Sequence, residues 1–368
     1  PRAGGARGGA ADLTVRRIAV VGSGQRVVQT ALPVLATLTE RYELAGVFSR
    51  RAKTISAGDA AHDVEPLEAL DAARMTEIDA LYLVVSKPAV PEVLTRLAAA
   101  APSGVDLLIE TPVLLPRHLA RVGLLRAFRS VSVTEDCLTL PLIDAARACA
   151  ASGALGRVRT VTLDRSGYAY HGIAMLKALH GAERVISARR VSAGEGHWRR
   201  DYRFANGARG VVLEPRDYSR GRLIVEGESA VLCDHDRGAT RDLAVEVELD
   251  AGVPAAFRAG DARRDLDAAE RSLMGEPGEG ETPWRWMDGM KRAGFRRLLL
   301  ELAEGRAAYP ALAALDDALV DYHLEKLGRY RSNPISSAGG LVVGGLARGL
   351  KPARRDWTLP EPLARALG

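Results

Sequence analysis

Cysteine is scarce: only Cys137, Cys149 and Cys233 occur in 368 residues, with no C-x-x-C spacing among them. That excludes a disulfide framework and predicts a reducing compartment and no metal site. No apolar run approaches the length of a membrane span, and the Gly/Ala/Arg-rich start from Pro1 to Ala11 lacks the apolar centre of a signal peptide. A cytoplasmic protein without a membrane partner is expected. No block of one charge sign stands out: 51 Lys+Arg against 46 Asp+Glu leave a net +5 spread along the chain. Arginine pairs such as Arg189-Arg190 and Arg199-Arg200 are too short for a nucleic-acid stripe and read as solvated surface. There is no internal repeat, and 47% hydrophobic with 26% charged residues excludes wholesale disorder.

What is present begins at Arg17. The run from Ile18 to Val21 reads as a strand, Gly22-Ser23-Gly24-Gln25-Arg26 as a turn, the next stretch as a helix, and Leu44 to Phe48 as a second strand ending in Ser49-Arg50-Arg51. This is the pattern of the first βαβ unit of a dinucleotide-binding fold. Gly22 permits the tight turn, Gly24 lets the backbone approach a pyrophosphate, and the helix offers that anion its unpaired N–H groups. Val27 stands where a third glycine is usual. An acidic residue after the second strand would accept the ribose hydroxyls of NAD. Ser49, Arg50 and Arg51 instead suit a 2′-phosphate, so NADP is expected over NAD, although two surface arginines following a strand would look the same.

Further along, 57–74 reads as helix, Ile78 to Val85 as a strand ending in Ser86-Lys87-Pro88, and 90–100 as helix. Asp106 to Ile109 reads as a strand ending in Glu110-Thr111-Pro112, 117–128 as an amphipathic helix, and Val131 to Thr134 as a strand ending in Glu135-Asp136. This alternation predicts an α/β fold: an N-terminal Rossmann, doubly wound parallel sheet over 15–140, with ligands at the carboxyl ends of its strands. From about Pro141 the register changes to short strands with alternating character between 158 and 249, then helices over 262–303, interrupted at 275–283, and over 312–330. Residues 141–335 therefore read as an α+β domain with an open, mainly antiparallel sheet. Residues 1–14 read as a flexible arm, and 336–368, rich in Gly and Pro, as a poorly packed tail.

The order of these landmarks resembles the glucose-fructose oxidoreductase and inositol 2-dehydrogenase (Gfo/Idh/MocA) family. The resemblance is carried by Gly22-Ser23-Gly24, Gly46-Val47-Phe48-Ser49-Arg50, Ile78-Asp79-Ala80, Glu110-Thr111-Pro112, Gly153-Ala154-Leu155-Gly156, and His171 with Leu179 and Gly181, and it spans about 17–330. It implies an N-terminal Rossmann domain for NAD or NADP and a C-terminal domain that holds a small substrate and builds a homodimer or homotetramer through its sheet. Three departures stand out. The family's Glu-Lys-Pro is Glu110-Thr111-Pro112; the Asp-x-x-x-His-x-x-Asp box would place its carboxylates at Gly167 and Ala174 around His171; and a histidine usual after the fourth strand falls at Pro91.

His171, Tyr170 and Tyr168 are the proton-donor candidates, since the turn before their helix aligns with the family's catalytic segment; a helix-start histidine satisfied by backbone is the plainer alternative for His171. Lys87 could supply the missing cation, though a solvated loop lysine fits as well. Cofactor contacts are expected from Gly22, Ser23, Gly24, Gln25, Arg26, Ser49, Arg50, Arg51, Ser86, Glu110, Thr111 and Pro112. Glu135 and Asp136 could reach substrate, but paired acids at a strand end are more often solvated or capping. Trp284 and Trp286 could wall a planar substrate, with core packing the stronger expectation. Without the Lys-Asp set that removes an alcohol proton, an NADP(H)-dependent reductase of a C=N or C=O group in a small, possibly carrier-bound metabolite is expected. The thiazolinyl imine reductases, similar to this family and also without Glu-Lys-Pro, set that precedent. A sugar or cyclitol dehydrogenase with a relocated base, or a cofactor-binding protein with a non-redox or regulatory role, remain alternatives.

Overall fold

The computed structural model describes residues 15–100, 103–182, 184–235, 242–306 and 309–332; the expected arm over 1–14 and tail over 336–368 lie outside them. The first sheet holds β1 (Arg16–Val21), β2 (Tyr42–Ser49), β3 (Lys53–Ala57), β4 (Ala60–Pro66), β5 (Ala80–Leu83), β6 (Asp106–Ile109) and β7 (Ser130–Val133). Helices α1 (Leu32–Ala36), α2 (Ala72–Met75) and α3 (Val90–Ala100) lie between these strands. Strands β7, β6, β5, β1, β2 and β4 run parallel in that spatial order, with β3 antiparallel at one edge. Strands β1 and β5 are buried over nearly their whole length, as apolar runs covered on both faces must be.

Two expectations fail here. Residues 57–74 are not a helix: β3 and β4 form a hairpin closed at Gly58, which takes a left-handed φ of +59°. Alanine favours a helix locally, but pairing of Val64 with Val47 on the edge of β2 decides the outcome. Residues 117–128 do not form one regular α-helix either. Pro116–Ala127 winds as tight 3₁₀ turns, with helix-weakening Gly123 in its middle.

The second sheet contains β8 (Val158–Asp164), β9 (Val185–Ser192), β10 (Trp198–Phe204), β11 (Arg209–Glu214), β12 (Arg222–Gly227), β13 (Val231–Cys233), β14 (Asp242–Asp250), β15 (Val253–Ala259) and β16 (Ala262–Asp265). Its ten-strand order is β16-β15-β14-β13-β12-β8-β11-β10-β9-β18, with β18 spanning Arg329–Arg331, and only β8–β11 and β13–β14 are parallel. The helical expectation from 262 onward is corrected by β16, which pairs antiparallel with a strand, β15, that the sequence pattern did not reveal. Helices α4 (Pro141–Ala151) and α5 (Ala169–His180) cover one face of this sheet. Beyond it come α6 (Ala268–Met274), α7 (Met287–Ala303), the short β17 (Tyr309–Pro310) and α8 (Ala311–Leu327).

The late helices tie the two sheets together. Phe295, Leu298 and Leu299 of α7 pack with Ile18, Val20 and Val27 on one face of the first sheet, while Leu312 and Leu315 of α8 join Leu107, Ile109 and Leu125 on the other. The Tyr42 hydroxyl donates to the Leu299 carbonyl at 2.8 Å, and β17 adds an antiparallel strand beside β7. These contacts fix the carboxyl edge of the parallel strands against α5. Trp284 and Trp286 are buried in the core of the second sheet, so they do not wall a ligand site.

Candidate active site

The glycine turn is shaped as a dinucleotide requires. A Cβ on Gly22, whose φ is +141°, would lie 2.0 Å from the Val84 carbonyl oxygen, so no side chain fits between β1 and β5. A Cβ on Gly24 would meet nothing within 4 Å, so the backbone there borders open space. The first helical bonds run from Val27 and Val28 N–H to the Gly24 carbonyl, which leaves the preceding N–H groups outside the helical ladder. Val27, at the third-glycine position, is fully buried. These residues fit a bound pyrophosphate.

At the end of β2, Ser49 Oγ donates to the Arg51 carbonyl at 2.8 Å, and Arg50 and Arg51 are exposed. Lys53, which sequence reasoning missed, reaches back to donate to the Ser23 carbonyl at 3.4 Å. Arg50, Arg51 and Lys53 thus put three exposed cations just after β2. Ser86 is exposed at the end of β5, and Gln25 is exposed beside Gly24. Arg26 turns inward: its guanidinium bonds Asp136 at 2.7 Å and Glu110 at 3.3 Å and lies 5.4 Å from the Phe295 ring centroid. Burial opposes its charge, but Asp136 and Glu110 outweigh that and move its pKa up. Glu110 also accepts from the buried Tyr82 hydroxyl, so both residues brace the turn. Thr111 and Pro112 are joined by a cis bond and buried, and Thr111 Oγ1 has no partner.

Facing this edge is the start of α5. Gly167 lets that segment press on the second sheet, since a Cβ there would meet Leu163 at 2.7 Å. His171 projects from the first turn, and its Nδ1 lies 2.9 Å from both oxygens of Glu135, at the end of β7. Glu135 is therefore neither solvated nor capping: it is buried and supplies from another element the carboxylate missing at Gly167 and Ala174. Asp136, likewise buried, belongs to Arg26. The Nδ1 contact fixes the ring and leaves Nε2 for a ligand.

Lys87 is drawn to the same place. Its Nζ donates to the Tyr170 hydroxyl at 2.6 Å, leaving the phenolic O–H to donate onward. Burial moves Lys87 down from the ordinary lysine value, with Asp321 opposing, and pushes Tyr170 well up. The Tyr168 and Tyr170 rings lie 5.1 and 4.4 Å from that of His171. The structure thus gathers His171, Tyr170, Tyr168 and Lys87 around one point and adds Glu135, whose signal was a strand-end position only the fold could connect to His171.

Cys137 completes a second pattern. Its sulfur, a Glu135 oxygen and a His171 nitrogen all lie within 4.8 Å of one another, a donor set of the kind zinc takes. The His171–Glu135 contact already engages two of these three groups, and burial raises the Cys137 thiol well above its ordinary value. Cys137, Cys149 and Cys233 are all buried. A depression of about 500 Å³ on the outer face of the second sheet, bordered by Arg189, Arg199, Arg203 and Arg209, is remote from this chemistry.

No family model matches the sequence, and no curated protein is detectably similar to it. Solved structures are similar in fold. Scyllo-inositol dehydrogenase from Lactobacillus casei, with bound NAD(H) and scyllo-inositol, aligns at 11% identity and TM-score 0.58 over 86% of this chain and 99% of that one. An oxidoreductase from Agrobacterium radiobacter in complex with NAD+, L-tartaric acid and magnesium aligns at 12% and 0.60 over 86% and 98%. A super-repressor mutant of Gal80p from Saccharomyces cerevisiae aligns at 10% and 0.59 over 88% and 99%. No helix among the described residues is long and apolar enough to cross a membrane. Parallel and antiparallel sheets, their order and these alignments together show that the chain shares the fold of these solved structures.

Proposed function

We propose that this protein is an oxidoreductase that uses NADP(H) to reduce a C=O or C=N group of a small metabolite. The observation that carries the reading is the His171–Glu135 pair, held at 2.9 Å between the parallel-strand edge and the start of α5. A bound nicotinamide dinucleotide supplies hydride chemistry. The chain's own residues bind, orient and move the proton. Gly22 and Gly24 admit the pyrophosphate, Ser49, Arg50, Arg51 and Lys53 favour a 2′-phosphate, and cis Thr111-Pro112 borders the nicotinamide end. Glu135 holds the His171 ring through Nδ1, so Nε2 is aimed to donate to the oxygen or nitrogen of the reduced group. The Tyr170 hydroxyl, with Lys87 donating to it, provides a second donor.

A second reading, oxidation of a sugar or cyclitol alcohol, is favoured by the same pair. Glu135–His171 is a relocated base in the sense that the lost lysine and aspartates required, and one fold neighbour holds scyllo-inositol. Titration with NADPH and NADH tests both readings: tighter NADPH binding is expected, and no binding of either dinucleotide removes both. With NADPH bound, oxidation by carbonyl or imine compounds supports the first; NADP+ reduction by polyols alone supports the second.

A further inference from the structure

Beside the His171–Glu135 pair is a group of cations that the reaction itself does not use. The Arg216 guanidinium lies 4.3 Å from the Tyr168 ring centroid and 5.2 Å from that of Tyr218, and Lys291 Nζ, on α7, lies 5.5 Å from the Tyr218 ring. Tyr218 is held flat at 6.2 Å and 7° against the buried Trp284, so it is a rigid platform between two cations. Tyr168 in turn touches the His171 ring at 5.1 Å. Among the described residues neither Arg216 nor Lys291 forms an ion pair, whereas Arg26, Arg200, Arg264 and Arg297 each hold carboxylates. Glu135 is engaged by His171, and Asp217 by Arg220.

We propose that Arg216 and Lys291 form an oxyanion subsite, with Tyr168 and Tyr218 packing against the substrate body. The substrate is then an acid whose carboxylate or phosphate docks there while its C=O or C=N reaches His171. Guanidinium and ammonium donors recognise either oxyanion, and aromatic faces hold the carbon skeleton between them and the dyad. Placing one charged end this way orients the reacting carbon, which is how binding remote from the chemistry lowers a barrier. The inference names the substrate class for the proposed oxidoreductase and rests on that reading for its reaction.

The test does not pass through turnover. NADPH-loaded protein is titrated at low salt with inorganic phosphate, succinate and the uncharged dimethyl succinate, by calorimetry and by tryptophan fluorescence from Trp284 behind the platform. Arg216→Gln and Lys291→Gln are titrated in parallel, with Arg216→Lys as the conservative variant. Expected are millimolar binding of phosphate or succinate, no response to the ester, at least tenfold weaker binding in each Gln variant, partial recovery in Arg216→Lys and unchanged NADPH affinity. Preference for phosphate or for succinate identifies which oxyanion the subsite takes. Equal anion affinity in wild type and both Gln variants, no anion binding at all, or anion binding that merely competes with NADPH overturns the subsite. Failure of NADPH binding is a separate result that overturns only the oxidoreductase reading.

Discussion

Helix α5 carries two nitrogen-bearing side chains that each meet a buried carboxylate, and they end in opposite situations. At its start His171 meets Glu135, and two turns on Lys177 meets Asp317 at 3.0 Å. Lys177 donates also to the Tyr309 hydroxyl at 2.8 Å, and that hydroxyl bonds Asp317, so the triad closes on itself. The Lys177 and Asp317 side chains are 7% and 4% exposed; His171 retains 16%, with Nε2 uncommitted, while Glu135 is 1% exposed. A buried Lys–Asp pair closed by a tyrosine hydroxyl joins α5, α8 and β17. The His171–Glu135 contact instead leaves a ring nitrogen uncommitted at the edge of the first sheet. The difference is in what remains unpaired, not in burial or charge.

Lys177→Met breaks the structural end of this comparison and has the largest expected effect. Leaving Asp317 buried without its partner is predicted to cost about 3–5 kcal/mol in denaturant unfolding. Burial pushes the Asp317 carboxyl up to about 6, with Lys177 opposing. Its folded value lies above the unfolded ~3.9. The folded chain therefore keeps a proton that the unfolded chain has lost, and this group's stabilising contribution declines as pH rises from about 4 to about 6. Without Lys177 the carboxyl rises further, so the loss is predicted to be smaller at pH 5 than at pH 8. A pH-independent loss would mean that Asp317 is not the group left stranded.

The glycine turn sharpens the same distinction between structural and functional needs. Gly22→Ala forces a Cβ against the Val84 carbonyl in a left-handed conformation and is predicted to lose about 1–3 kcal/mol of stability. Gly24→Val meets open space and is predicted to unfold with the wild type, while NADPH binding weakens at least tenfold. Unfolding curves and cofactor titrations of both variants separate the two roles; a Gly24→Val protein that binds NADPH normally would place the pyrophosphate elsewhere. The smallest effect is expected at the rim. Arg50→Asp is predicted to shift the NADPH/NADH affinity ratio about tenfold towards NADH, the worth of roughly one charge-assisted hydrogen bond, about 1.5 kcal/mol. An unchanged ratio leaves Lys53 and Arg51 as the ribose contacts.

The glycine turn was legible because its meaning is local: Gly22 and Gly24 follow a buried strand and open a helix within a few residues. The β3–β4 hairpin was misread because Ala57, Ala60 and Ala61 favour a helix in isolation, and only the edge of β2 makes them strand. The dyad was illegible for a related reason. The resembled family's box places its carboxylates at 167 and 174, on the same stretch of chain as His171, where this sequence has Gly and Ala. The partner came from 36 positions upstream, across the interface between the two sheets. Lys87 reaching Tyr170 across 83 positions is a second contact that only the fold could reveal.

The central claim is that Glu135 and His171 act as one proton-transfer unit. Its most direct measurement is kcat against pH for a carbonyl or imine substrate in wild type, His171→Asn, Glu135→Gln and the double variant, with NADPH affinity measured alongside. Each single substitution is predicted to lower kcat by about 10²–10⁴ and to change its pH profile. The double variant should lose little beyond the worse single, and NADPH binding should stay intact. Wild-type kcat and pH profile in His171→Asn, or losses that simply multiply in the double variant, would contradict the account.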